Sequence, residues 1–152
     1  MDLERAVRRL LDKDEIVDLV HRYSFSVDHK RYDELVQLFT EDCVVDYGPG
    51  VGPVKHGRAE LRAMFGDGGR FVVTSHHNAN VLVDFDGDDR AEVRTSLYAW
   101  HHFAEGPDPR VWGCYHDTAV RTPDGWRLAR RQLRVAGNEG MDLDWLPLVD
   151  PS

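Results

Sequence analysis

The chain has 152 residues, a length that suits one domain and leaves no room for a second core of useful size. A hydrophobic share of 41% with 10% aromatic residues excludes a disordered chain, and 19 basic against 27 acidic residues give a net charge of -8, which disfavours nucleic acid and anionic membranes as partners. Cys43 and Cys114 lack the clustered spacing of a zinc site and are too few for a disulfide scaffold, and the N-terminal run MDLERAVRRLLDKDE is charged throughout, so a reduced, soluble, cytoplasmic protein is expected.

In chain order, apolar residues recur at helical spacing from Asp2 to Phe39: Leu3, Val7, Leu10 and Leu11, then Ile16, Leu19, Val20, Tyr23 and Val27, then Leu35, Leu38 and Phe39. These groups predict three helices. A strand follows at CVVDYG, then a Gly/Pro stretch from Gly48 to Pro53, then a short helix over GRAELRAMF. Four extended runs come next, RFVVTSHHNANVLVDF, AEVRTSLYAWHHF, RVWGCYHDTAVRT and WRLARRQLRVAG, separated by the turn-forming clusters DGDD, EGPDP and PDG. This order describes a single α+β domain over residues 1–152, in which a curved, mainly antiparallel sheet wraps the N-terminal helices. The tail, residues 137–152, carries Trp145, Leu146, Leu148 and Val149 behind a glycine and is expected to cover an apolar pocket.

Eight histidines are many for this length, and five of them, His76, His77, His101, His102 and His116, fall inside predicted strands. An imidazole lining a cavity can act as a base near neutral pH, whereas a buried one needs partners for both nitrogens. Asp28 follows the stripe ending at Val27, either as the N-cap of a helix starting near Lys30 or as a carboxylate at a pocket mouth. A carboxylate paired with a histidine fixes the imidazole tautomer and stabilises the imidazolium, which strengthens it as a base. Strict alternation puts Phe71, Val73, Ser75, His77, Ala79, Val81 and Val83 on one face, so His76 reaches a pocket only if a β-bulge near Asn78 reverses the parity. No phosphate loop, HExxH or Cys/His zinc spacing occurs, and neighbouring histidines on a strand diverge, so neither a metal nor another cofactor is expected.

The runs RYSFSVDHKRYDELVQLFTEDCVVDYGPG, HGRAELRAMF, TSHHNANVLVDFDGDDRAEVR and YHDTAVRTPDGWRLARR resemble the SnoaL-like branch of the nuclear transport factor 2-like superfamily. Within that branch the likeness is to scytalone dehydratase, bile acid 7α-dehydratase and hexachlorocyclohexane dehydrochlorinase. The resemblance implies a cone-like α+β barrel with a deep pocket, and a cofactor-free elimination driven by an Asp and His pair. It carries the helix-end aspartate onto Asp28, the strand histidine onto His76 and a helix tyrosine onto Tyr23, as catalytic residues. Tyr47, His101, His116 and Arg130 are implied at the substrate, and Phe25, Phe65, Tyr98, Trp100 and Tyr115 are expected to add aromatic wall.

The expected activity is therefore a lyase of dehydratase type acting on a hydrophobic small molecule such as a polyketide, aromatic, terpenoid or steroid. The same pair could drive isomerisation or cyclisation, and the fold also serves non-catalytic binding or assembly subunits. Trp100, Phe103, Val111 and Trp112 offer more apolar surface than a small sheet can hide, so a homodimer or homotrimer is expected.

Overall fold

The computed structural model describes residues 2–66, 71–141 and 147–148. Helix α1 spans Leu3–Asp28 and α2 spans Tyr32–Val36; β1 (Phe39–Asp46), β2 (Lys55–His56) and α3 (Gly57–Phe65) follow. The long strands are β3 (Phe71–Phe85), β4 (Arg90–Phe103), β5 (Arg110–Thr122) and β6 (Gly125–Glu139). They form one sheet of order β2-β1-β6-β5-β4-β3, antiparallel except where β1 runs parallel to β6. Helix α1 packs across its concave face, and the α+β architecture expected from the sequence is the one found.

Two details depart from the sequence reading. A single 26-residue helix replaces the first two of the three predicted, and Phe39 opens β1 rather than closing a helix. No Gly or Pro interrupts α1; what looked like a break is a change of face. Leu11 and Val20 lie nine residues apart, two and a half turns, so they point to opposite sides of the helix. Ile16, Leu19, Val20, Tyr23 and Val27 accordingly enter the core, while Leu3, Val7, Leu10 and Leu11 remain exposed.

Polar contacts, rather than that outer stripe, seat the first half of α1. The buried Asp12 accepts from Trp126 Nε1 at 3.1 Å and from Arg121 Nη2 at 2.8 Å, and Glu15 accepts from the Trp126 backbone N–H at 2.8 Å. Gly125 is required beside them: its φ is +99°, and a Cβ there would run into the Glu15 carboxylate.

Three irregularities in pairing decide which side chains enter the cone. On β3, Ala79 pairs with Ser96 but Leu82 pairs with Arg94, so one extra residue sits on β3, and Asn80 adopts φ 51° there. A second shift lies between Phe71 and Val73. Thr74, His76 and Asn78 therefore face inward between the two shifts, and Val81, Val83 and Phe85 face inward after Asn80. On β6, Arg130 pairs with Thr118 but Leu128 pairs with Ala119, which inserts Ala129 and turns Arg131 inward after Trp126 and Leu128. Asparagine tolerates the left-handed conformation that β-branched residues resist. Asn80→Val is expected to lower the unfolding free energy by about 1–2 kcal/mol and Asn80→Gly to leave it nearly unchanged, read by urea denaturation. Equal stability of all three proteins would show that the bulge does not depend on this residue.

Of the four residues assigned to an outer apolar surface, Val111 is instead buried, while Trp112 is 39% exposed on the convex face. Of the tail, Pro147 bridges to Val135 of β6 along the edge that β1 vacates after Asp46, and Leu148 N–H bonds Val135 O at 3.1 Å. Trp145, Leu146 and Val149 lie outside the described residues.

Candidate active site

Asp28 is the last residue of α1 and its carboxylate turns toward β3 instead of capping α2, whose N-cap is Arg31. Oδ1 accepts from Thr74 Oγ1 at 2.8 Å and lies 2.7 Å from His76 Nδ1, while Oδ2 accepts from the His76 backbone N–H at 2.8 Å. One carboxylate thus fixes both the main chain and the ring of His76. An ionised carboxylate only accepts hydrogen bonds, so Nδ1 carries a proton, and in the neutral ring Nε2 is the nitrogen with the lone pair. Burial alone would raise the Asp28 pKa; the bonds from the His76 side chain and backbone, the attraction of His76 and the bond from Thr74 outweigh it, and the carboxyl sits below its usual value.

His76 lines a cleft of about 710 Å³, open mouth included, between α1, α3 and the concave sheet. The His101 ring meets it edge-on at 5.3 Å, and Asn78 on the same face donates to Val20 O at 3.1 Å and to Ser24 Oγ at 2.6 Å, tying β3 to α1. Val27, Leu97, Ala99, Val111 and Leu133 supply apolar wall.

Tyrosines form the remaining polar group. The Tyr23 and Tyr47 hydroxyls are 2.5 Å apart, and the Tyr115 ring meets Tyr23 edge-on at 5.8 Å. Burial first, and Tyr23 second, push the Tyr47 and Tyr115 phenols well above their ordinary pKa, so they stay protonated donors. Beneath them Arg131 lies fully buried, its guanidinium carbon 3.8 Å from the Tyr23 ring centre and 4.1 Å from that of Tyr115. Asp117, also buried, holds it through a fork of bonds at 2.9 and 2.7 Å. Burial would lower the Arg131 pKa, but the Asp117 carboxylate raises it, so the guanidinium remains charged. Among the described residues no set of three His, Cys, Asp or Glu side chains could hold a metal ion, and no helix is long and apolar enough to cross a membrane.

A family model for the SnoaL-like domain matches residues 8–132. The chain belongs to this SnoaL-like family, within the nuclear transport factor 2-like superfamily. An uncharacterized protein of Mycobacterium tuberculosis is 35% identical over 130 residues, covering 83% of this chain and 86% of that protein. A candidate scytalone dehydratase of Novosphingobium aromaticivorans superposes with a TM-score of 0.87 at 31% identity, covering 97% of this chain and 99% of that one. A hexachlorocyclohexane dehydrochlorinase, at 16% identity and a TM-score of 0.81 over 93% and 97% of the two chains, shares the fold. The neighbours of this SnoaL-like domain thus include proteins named for elimination reactions on small molecules.

Of the residues singled out in its sequence, the SnoaL-like domain brings Tyr23, Tyr47, His76, His101 and Tyr115 to the cleft, with Asp28 behind His76. It does not bring Trp100, His116 or Arg130 there. Trp100 and His116 alternate with the inward Ala99 and Tyr115, so both face the convex side, where Trp100 stacks on His102. Arg130 sits opposite Thr118, whose hydroxyl bonds Glu92 on that outer face. Phe25 is exposed against His29, and Tyr98 packs on Trp112 outside the cone. Thr74, Asn78, Asp117 and Arg131 were not singled out. For Arg131 the signal was the adjacent pair Arg130 and Arg131 opposite Asp117, unreadable without the bulge at Ala129.

Proposed function

We propose that this protein is a cofactor-free lyase that eliminates water from a neutral, largely apolar small molecule carrying a carbonyl and a hydroxyl on the carbon β to it. The Asp28 and His76 pair carries this reading: a carboxylate that bonds both Nδ1 and the backbone N–H of one histidine leaves Nε2 as a fixed base at an apolar cleft. Nε2 takes a proton from the carbon next to the carbonyl, and the C–H electron pair moves toward oxygen to give an enolate. The bonded Tyr23 and Tyr47 hydroxyl pair has one proton left to donate to that oxygen. The enolate then reforms its carbonyl as the β carbon–oxygen bond breaks, and the His76 imidazolium returns the proton to the departing hydroxide as water. The family and the candidate scytalone dehydratase support a reaction of this class.

The test uses 3-hydroxy-1-tetralone, whose loss of water yields 1-naphthol after tautomerisation. Appearance of naphthol fluorescence above the buffer rate is expected. A rate equal to buffer, for this ketone and for larger neutral β-hydroxy ketones, would end the proposal.

A further inference from the structure

The cleft does not close at the reacting groups. The rings of Tyr32 and Phe65 stack at 4.7 Å with an interplanar angle of 12°, and with Val51, Met64, Phe71 and Met141 they line both the inner cleft and a contiguous outer chamber of about 680 Å³, open solvent included. Ring contacts lead from one to the other: His76 to His101 at 5.3 Å, then His101 to Phe71 at 4.7 Å.

The chemistry of the two chambers differs. The inner one holds a histidine pair and, besides the shared Tyr32, the phenols of Tyr23, Tyr47 and Tyr115. The outer one, among its described residues, has a single polar side chain, the Tyr32 phenol, whose pKa burial raises. The guanidinium of Arg62 lies 5.7 Å from the Tyr32 ring and is taken by Asp33 at 2.6 Å and by Gly66 O at 2.8 Å. Two methionines add adaptable, polarisable wall. Among the described residues lining it, none would compensate a charge, and desolvating an unpaired one is costly.

We infer that the outer chamber is a second subsite, which binds a neutral apolar extension of the substrate, an added ring or alkyl chain, while the carbonyl end lies at His76. This rests on the proposed orientation of the carbonyl toward the inner tyrosines. It narrows the substrate class to elongated neutral ketones.

The probes are acetophenone and its 4-n-alkyl derivatives from methyl to hexyl, titrated calorimetrically into the full chain. Each methylene that enters an apolar chamber should tighten binding about threefold to fourfold, so the ratio of the acetophenone Kd to the 4-hexylacetophenone Kd should reach at least about a hundredfold. Phe65→Ala and Tyr32→Ala should compress that ratio below about tenfold. Val51→Asp, on a residue already 43% exposed and so tolerant of change, should compress it too by putting a carboxylate at the chamber. A ratio near one in the wild type, failure of every ketone to bind, or variants that weaken short and long ketones equally would overturn the subsite. Exchange of the acetyl protons with deuterated solvent reads the inner base separately: exchange without chain-length dependence sinks the subsite alone, and chain-length dependence without exchange sinks the catalytic reading alone.

Discussion

Replacing His76 with Ala is expected to slow deuterium exchange at carbon 2 of 1-tetralone, and naphthol formation from its 3-hydroxy derivative, by a factor of about 10² to 10⁴, the usual contribution of a positioned general base. Asp28→Asn should fall in the same range for a different reason. Its side-chain oxygen can still accept from the His76 backbone N–H, so β3 stays pinned, but its amide would then donate to Nδ1. That moves the ring proton to Nε2 and removes the lone pair from the cleft. Unchanged circular dichroism with lost exchange separates this effect from unfolding. Exchange within threefold of wild type in His76→Ala would exclude His76 as the base, and in Asp28→Asn would exclude the carboxylate as what orients it.

The same carboxylate sets a pH dependence of stability whose sign follows from its lowered pKa. A group more acidic when folded stabilises the fold above its unfolded pKa, near 3.9, and loses that contribution as pH falls through the lower folded value. The stability advantage of wild type over Asp28→Asn should therefore be present at about pH 5 and shrink as pH falls below about 4. Urea denaturation across that range measures it; an advantage that disappears near neutrality would mean the carboxylate is not held as described.

Most of the architecture was legible because period-two and helical patterns are set by which side is buried, and the four long strands of the sequence reading match β3 to β6 within a few residues. What was not legible follows from single inserted residues. A bulge carries no hydrophobic signature, yet it reverses every side chain beyond it. The bulge needed to aim His76 inward was expected near Asn78 and lies at Asn80, two residues on. An unforeseen bulge at Ala129 exchanged Arg130 for Arg131, and with it a surface arginine for a buried one. Helix α1 shows the converse limit, since an apolar stripe on the outer face of a helix has the same spacing as one on the core face.

That buried arginine gives the largest expected change in stability. Arg131 and Asp117 are both fully enclosed and bonded by two parallel contacts, so each compensates a charge that the surrounding Tyr23, Tyr115 and Phe39 rings cannot solvate. Removing one partner strands the other. Arg131→Met leaves a carboxylate without its guanidinium in an apolar shell, and Asp117→Leu leaves a guanidinium between aromatic faces without its counter-ion. Breaking one side of a buried ion pair costs about 3–5 kcal/mol, and for a chain of this size a loss of that order lowers Tm by roughly 10 °C. The double variant Arg131→Met with Asp117→Leu exchanges the pair for apolar volume, which in buried pairs is often neutral or stabilising, so it should recover most of what either single change loses. Differential scanning calorimetry of the four proteins completes the cycle. A double variant no more stable than the worse single variant would show that the site depends on the arginine for shape rather than charge, and single variants within about 1 kcal/mol of wild type would show that the pair contributes little.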